Sequence, residues 1–286
     1  GLAETALAVG VEKASDQSGN AALSAVAAGL DADYELVQGQ TPAGAAALLM
    51  RRYQHEHGVE LADFAGFSVN AHANAAGNPR AMYRNRLRAE QFAASPPVAE
   101  PVSLFDMAPL GDGAAAVVVT RSERAGDLVP QPIRIAGSAV ATDRLALHDR
   151  RQLLRLDAAE RSARQALAEA GLTPAEVDFF ELHDSYTILA ALALEAAGFA
   201  APGEGVRLAQ AGAIGRDGRI PISTFGGLKA RGNPVGATGV YQIVEAVLQL
   251  RGQAGDCQVA DARVGLTQNL GGSGATAVTH VLRRDE

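Results

Sequence analysis

Cysteine occurs once in the 286 residues, at Cys257. A single thiol excludes an internal disulfide framework and a cysteine-based metal site. Runs of Lys or Arg are missing too. The basic residues are scattered through a chain of net charge −7 and pI near 5.4, so the electrostatic footprint of a nucleic-acid binder is absent. No apolar stretch reaches the ~18–20 residues of a membrane span. No charged n-region leads into an apolar h-region, the pattern of a secretory leader. Together these absences lead to the expectation of a cytoplasmic protein with no nucleic-acid partner and no membrane partner. An initiator Met is lacking as well. Gly1–Lys13 (GLAETALAVGVEK) reads as a strand from its first residues, with Thr5–Val11 as its β-forming part, so the chain reads as one that starts inside a fold.

What is present suits an α/β protein of one or two domains. Hydrophobic residues make up 48% of the chain, enough for a large core at this length. Gln131–Thr142 alternates and is rich in Ile and Val, as a strand does. Asp157–Ala170 has helical apolar spacing, with Asp157 as N-cap and Gly171 as stop. Val177–Leu182 predicts a short buried strand and Tyr186–Ala197 a helix ended by Gly198. Arg219–Ile222 predicts a brief strand and Ala237–Leu250 a helix with Gly252 behind it. Arg263–Asn269 and Ala275–Leu282 predict two last strands around LGGSG. This alternation predicts a layered α/β domain with a largely parallel sheet.

The first half is less regular. Ser15–Gln40 reads as loop, Pro42–His57 as a helix with Pro in its first turn, and Leu61–Ala76 as a second helix. Ser95–Pro101 reads as loop, and Asp112–Thr120 as a turn followed by a buried strand. The boundary falls near Ser122–Val129, dividing the chain into 1–125 and 126–286.

Chemistry concentrates in three places. His183-Asp184 follows a strand and precedes a helix, at the carboxyl edge where α/β sheets bind ligands. His183 suits donation to an acyl carbonyl oxygen, as in an oxyanion hole, and Asp184 suits orienting the turn or capping the helix. Gly226–Gly239 (GGLKARGNPVGATG) is glycine-dense but matches no phosphate-binding motif. Several of its positions suit φ > 0, Asn233 is the polar group it presents, and the helix behind it adds a positive dipole end. Asn269–Gly274 (NLGGSG) is a tight hairpin whose glycines let backbone N–H groups approach a reacting centre. Ser185 and Tyr186, beside the histidine, suit packing or proton relay. Lys229 and Arg231 face either an anionic ligand or solvent. Tyr241 suits the core, Cys257 reads as an ordinary thiol in a polar turn, and His72 is open between structure and function.

LAVGVEK (7–13), HANAAGNPRAMYR (72–84), DGAAAVVV (112–119), ELHDSYT (181–187), GGLKARGNPVGATG (226–239) and NLGGSGATAV (269–278), in that order, make nearly the whole chain resemble the thiolase superfamily. The likeness is nearest to sterol-carrier-type thiolases and archaeal acetoacetyl-CoA thiolases. The resemblance implies a five-layered αβαβα sandwich of two βαβαβαββ halves, with the C-terminal half complete and the N-terminal half truncated around a loop insertion. It implies acyl-CoA as substrate, no permanently bound cofactor, and a homodimer or homotetramer. Some relatives add a small zinc-ribbon/OB-fold partner protein, and the resemblance admits one here. His183, Asn233, Ser185 and Tyr186 become the candidate catalytic residues, and Gly227, Lys229, Gly232 and Gly272 the candidate contacts to the CoA thioester.

The resemblance also implies a nucleophilic cysteine at a helix N-terminus upstream of the first strand, and these residues do not contain it. Where relatives carry the histidine of a GHP motif, this chain has Asn233. Where sterol-carrier-type relatives carry the cysteine of an HDC motif, it has Ser185. Asn takes up no proton near neutral pH, and serine is a far weaker base than a thiolate. A His plus an Asn resembles instead the Cys-His-Asn set of ketoacyl-synthase III-type condensing enzymes. Three expectations follow: a CoA-dependent acyltransferase with an altered site, a C–C lyase or decarboxylating condensing enzyme, and a non-catalytic scaffold subunit.

Overall fold

Thr41 opens the most regular helix of the first half. Its hydroxyl accepts from the Gly44 N–H at 3.0 Å, Pro42 takes the first helical position, and Gly58 closes the helix at φ 65°. These are the start and stop signals a helix needs. The computed structural model describes residues 3–285, so Gly1 and Leu2 of the expected first strand lie outside the described residues. In chain order the elements are β1 (Thr5–Glu12), α1 (Gly19–Ala27), α2 (Pro42–His57), α3 (Ala65–Ala75), α4 (Ala89–Ala93), β2 (Pro97–Ala99), β3 (Val102–Ser103), β4 (Gly113–Thr120), α5 (Ser122–Leu128), β5 (Ile133–Thr142), α6 (Asp157–Ala170), β6 (Phe179–Glu181), α7 (Thr187–Ala196), α8 (Gly205–Gln210), α9 (Thr238–Leu250), β7 (Val264–Gly271) and β8 (Thr276–Arg284).

The main sheet has the order β5-β8-β7-β6. It is not largely parallel: β5–β8 and β7–β8 are antiparallel, and only β6–β7 is parallel. A tight turn can join only antiparallel strands, and the Gly271–Gly274 hairpin folds β8 back between β7 and β5. The expected strand at Arg219–Ile222 reduces to a single parallel bridge between Ile222 and Phe180.

Three further expectations change in the first half, one of them at Ser95–Pro101, expected as loop, which contains β2 paired with β3. Residues expected as loop contain α1, capped by the Ser18 hydroxyl accepting from Ala21 N–H at 3.4 Å. Its alanines supply the helix propensity. The strand expected to be buried, β4, pairs among the described residues only with β1, from Thr5↔Thr120 to Glu12↔Gly113. One face of this ribbon meets α9, where Gly10 lies so close to Ala237 that a Cβ would sit 2.8 Å from its Cα. The other face leaves Leu7, Val9, Val11 and Val118 exposed. Asp157 is the first residue of α6 rather than its cap, a place where its charge still suits the helix dipole.

The core centres on α7, whose residues Thr187–Leu194 are all buried, as befits a helix apolar on every side. α6 packs on β5 and β8, while α9 packs on β7 and on the β1–β4 ribbon. No described helix is long and apolar enough to cross a membrane.

Candidate functional site

β6 ends at Glu181, and the chain turns through His183, Asp184, Ser185 and Tyr186 into α7. Asp184 is 2% exposed and does not cap α7. Its carboxylate accepts from the Leu228 N–H at 2.7 Å and the Ser223 hydroxyl at 3.0 Å. It therefore orients a turn, but that of the distant glycine loop rather than its own.

Residues 106–111 stitch the two loops together. Asp106 accepts from the Thr187 hydroxyl and from the N–H and hydroxyl of Ser103. Ala108 N–H donates to Ser185 C=O at 2.8 Å; Asn233 N–H donates to Pro109 C=O at 2.9 Å, and Gly111 N–H to Asn233 C=O at 3.2 Å. Sequence reasoning passed over this segment. Its signal is modest: a Pro and a Gly in MAPLGDG, just before β4.

The result is a cavity of about 900 Å³ onto which His183, Ser185, Tyr186, Asn233, Asn269 and Gly272 all face. Its far wall is apolar, with Leu23, Val26, Leu30, Leu36 and Leu49 contributed by α1, α2 and the chain between them. A large apolar cleft with a few converging polar groups is the usual form of a small-molecule site. His183 sits where burial, reinforced by the Arg231 charge, holds its pKa down to about 4. It is neutral near pH 7, a hydrogen-bonding group rather than a base. Asn233 is anchored by the Thr238 hydroxyl, which donates to its Oδ1 at 2.8 Å. That leaves the Asn233 Nδ2–H₂ group to donate elsewhere. Burial pushes the Tyr186 phenol up to about 12, so it stays protonated and can donate.

The candidate CoA contacts divide. Gly272 lines the cavity. Gly227, Lys229 and Gly232 do not line it; they lie in a turn of π-helix over Gly227–Arg231 and its exit. Lys229 is 3% exposed, and its ammonium donates to the carbonyls of Phe105 and Asp106. Burial lowers its pKa to about 8 against the pull of the Asp184 and Asp106 carboxylates. Arg231 is also buried and bonds Glu245 Oε2 at 2.6 Å. Neither cation faces solvent. Cys257 is buried, its Sγ 3.5 Å from Asn74 C=O, and burial raises its thiol to about 11. His72 is a packing residue: its Nδ1 meets Asn85 C=O at 3.1 Å and its ring stacks on Tyr83. The Tyr241 ring carries the Arg231 guanidinium 4.9 Å from its centroid.

A second set missed in sequence is Gln242, Glu245 and Gln249, which α9 turns inward, each 5% exposed or less. Polar residues at i, i+3 and i+7 lie on one helical face, and that spacing was the available signal.

Residues 139–284 match the family model of a thiolase C-terminal domain-like region. The chain is 42% identical to the acetyl-CoA acetyltransferase of Methanothermobacter thermautotrophicus, over 99% of this chain and 74% of that protein. It is 34% identical to the benzoylsuccinyl-CoA thiolase subunit BbsB of Thauera aromatica, over 95% of this chain and 70% of that one. Among solved structures it superposes on the Ltp2-ChsH2(DUF35) aldolase with a TM-score of 0.87 and 29% identity, covering 99% of this chain and 73% of that one.

Proposed function

The chain belongs to the thiolase family, and from that premise we propose that it acts on acyl-CoA thioesters as a CoA-dependent acyltransferase of altered site. The bond made or broken lies between the α and β carbons of the thioester. The carrying observation is that His183 and Asn233 face one cavity as neutral groups, with the Asn233 Oδ1 already taken by the Thr238 hydroxyl. For cleavage, a CoA thiol gives up its proton and adds to the β-carbonyl carbon of a β-ketoacyl thioester. As that adduct collapses the C–C bond breaks, the acyl half leaves as a new thioester on that sulfur, and the bond's electron pair passes to the thioester oxygen as an enolate, which the two donors stabilise. The enolate then takes a proton at carbon. Gly272 contributes backbone at the rim, while Gly227, Lys229 and Gly232 support the loop. Ser185 and Tyr186 relay protons. The apolar far wall takes the acyl chain.

A C–C lyase is the second reading. Asn233 and Ser185 stand where thiolytic relatives are expected to carry titratable groups, and the similarity to an aldolase structure favours it. In that reaction a β-hydroxyacyl thioester loses its hydroxyl proton to a base, giving a carbonyl product and the same enolate. A small partner protein and a homodimer or homotetramer belong to this reading too. The exposed apolar face of the β1–β4 ribbon is the surface an oligomer would cover.

Turnover assays decide between these readings. His183→Ala should lower acyl-CoA turnover by about a hundredfold, the cost of one oxyanion donor, and unchanged turnover would sink the proposal. Asn233→His gaining thiolysis of acetoacetyl-CoA would favour the acyltransferase. Cleavage of β-hydroxyacyl-CoA by the unaltered protein, lost in Asn233→His, would favour the lyase.

A further inference from the structure

Imidazole has two nitrogens, and a neutral ring carries a proton on only one. Which nitrogen bears it decides whether His183 can donate into the cavity at all. The surrounding amides settle the matter by exclusion.

The parallel pairing of β6 with β7 sets Glu181 opposite Thr267 and brings Asn269 beside His183. Beneath both strands lies Gln242 of α9, 2% exposed. One end of its amide meets the backbone carbonyls of Glu181 at 3.2 Å and Gln268 at 3.0 Å. Carbonyl oxygens only accept, so this end is Nε2. The other end is therefore Oε1, and it lies 3.2 Å from the Asn269 side chain. An oxygen there requires a donor, so the Asn269 atom facing it is Nδ2. Turning Asn269 over would set two amide oxygens against each other. The same Nδ2 lies 3.3 Å from His183 Nδ1. A second N–H donated to Nδ1 demands a lone pair on Nδ1.

We infer that Gln242 and Asn269 act as positioning residues that fix His183 as its Nε2–H tautomer, with that proton available to the cavity. Two backbone carbonyls set the polarity, two amides transmit it, and the imidazole receives it. The catalytic meaning of this tautomer rests on the oxyanion reading above; the tautomer itself does not.

The test is the two-bond ¹H–¹⁵N correlation spectrum of the [¹⁵N]histidine-labelled chain near neutral pH, with His183 assigned by its loss in His183→Gln. The expected pattern shows a protonated Nε2 and a bare Nδ1. In Asn269→Asp a carboxylate, which only accepts, faces Nδ1, and Nδ1 should become protonated. Should that variant fail to fold, Asn269→Ala removes the donor, and a mixture of both tautomers should appear. A protonated Nδ1 in the unaltered protein overturns the inference. So does a pure Nε2–H pattern retained in both Asn269 variants. Where turnover is measurable, Asn269→Asp should lower kcat by about a hundredfold with KM within about twofold. Lost turnover with the Nε2–H pattern intact in that variant overturns the inference. An Nε2–H tautomer in a protein that turns over no acyl-CoA upholds it and sinks the functional reading alone.

Discussion

The loops Gly226–Gly232 and Gly271–Gly274 are both dense in glycine, yet what comes close to them differs. The first is closed around the protein's own charges. A Cβ on Gly227 would stand 2.2 Å from Asp184 Oδ2, and the residue has φ 56°. Lys229 and Arg231 are buried in the same turn. The second loop lies on the cavity: Gly271, Gly272 and Ser273 all line it, and a Cβ on Gly271 would meet nothing nearer than Thr276 Cβ at 3.4 Å. Glycine density thus reports close approach of backbone to something. Whether that something is a ligand or a buried carboxylate depends on groups far away in sequence.

The comparison breaks most visibly at Arg231. Removing its guanidinium leaves Glu245 buried with no compensating charge, since Glu245 Oε2 bonds Arg231 at 2.6 Å and the pair is nearly inaccessible. Arg231→Met should cost about 3–5 kcal/mol of unfolding free energy, and replacing Glu245 by Leu as well should return much of it. Urea unfolding of the single and double variants checks this. A single variant as stable as the unaltered chain would mean that the first loop is not held by its charges.

A smaller effect separates the glycines themselves. Gly227→Ala must adopt a left-handed backbone, at about 1–2 kcal/mol, and displace a carboxylate already held by Leu228 and Ser223. Its total cost should be roughly 2–4 kcal/mol, within the range of strained or overpacked sites. Gly271→Ala should change stability by no more than about 1 kcal/mol in either direction. Equal losses at the two positions would erase the distinction between a loop closed on the protein and one open to the cavity.

Why so much of this was readable, and why the rest was not, follows from range. α2 and the end of α6 carry their signals locally: Pro42 and Gly171 act as expected, and Thr41 and Gly58, unremarked in the sequence, cap α2 from the positions beside it. His183 and Asn233, which face one cavity, were each legible as a polar group between a strand or glycine loop and a helix; that they act together was implied only by the resemblance to condensing enzymes. The burial of Lys229 was not legible. Its partners are the carbonyls of Phe105 and Asp106, in a segment that no pattern ties to residue 229. The reversal between β7 and β8 was legible in the NLGGSG hairpin, but the antiparallel placement of β5 escaped for the same reason. Strand alternation fixes which residues face inward, but β8 lies beside β5, and that pairing spans the whole second half. Asn269 was visible as the start of a hairpin. Its contact with His183 needed the register of β6 against β7.

The subtlest consequence of the comparison is a pH slope. Glu181 lies beneath the closed loop, its Oε1 accepting from the N–H of Thr224 at 2.9 Å and from the same residue's hydroxyl. Burial, with the Glu245 charge adding to it, raises its carboxyl to about 8 against those bonds and the Arg231 charge. The open loop, NLGGSG, has no titratable side chain. An unfolded glutamate titrates near 4.3, so between that value and about 8 the folded state holds a proton that the unfolded chain releases. Stability therefore falls as pH rises through this window. His183 acts oppositely, because its folded pKa of about 4 lies below the unfolded value of about 6.5; its contribution rises with pH, but only up to about 6.5. From pH 6.5 to 8 the Glu181 slope is no longer offset by His183. Unfolding free energies of Glu181→Gln should then fall less steeply than those of the unaltered chain, by roughly 1 kcal/mol per pH unit. Gly271→Ala should keep the original slope. Parallel slopes for Glu181→Gln and the unaltered chain would show that the carboxyl titrates alike in both states, and that the closed loop does not seal it from water.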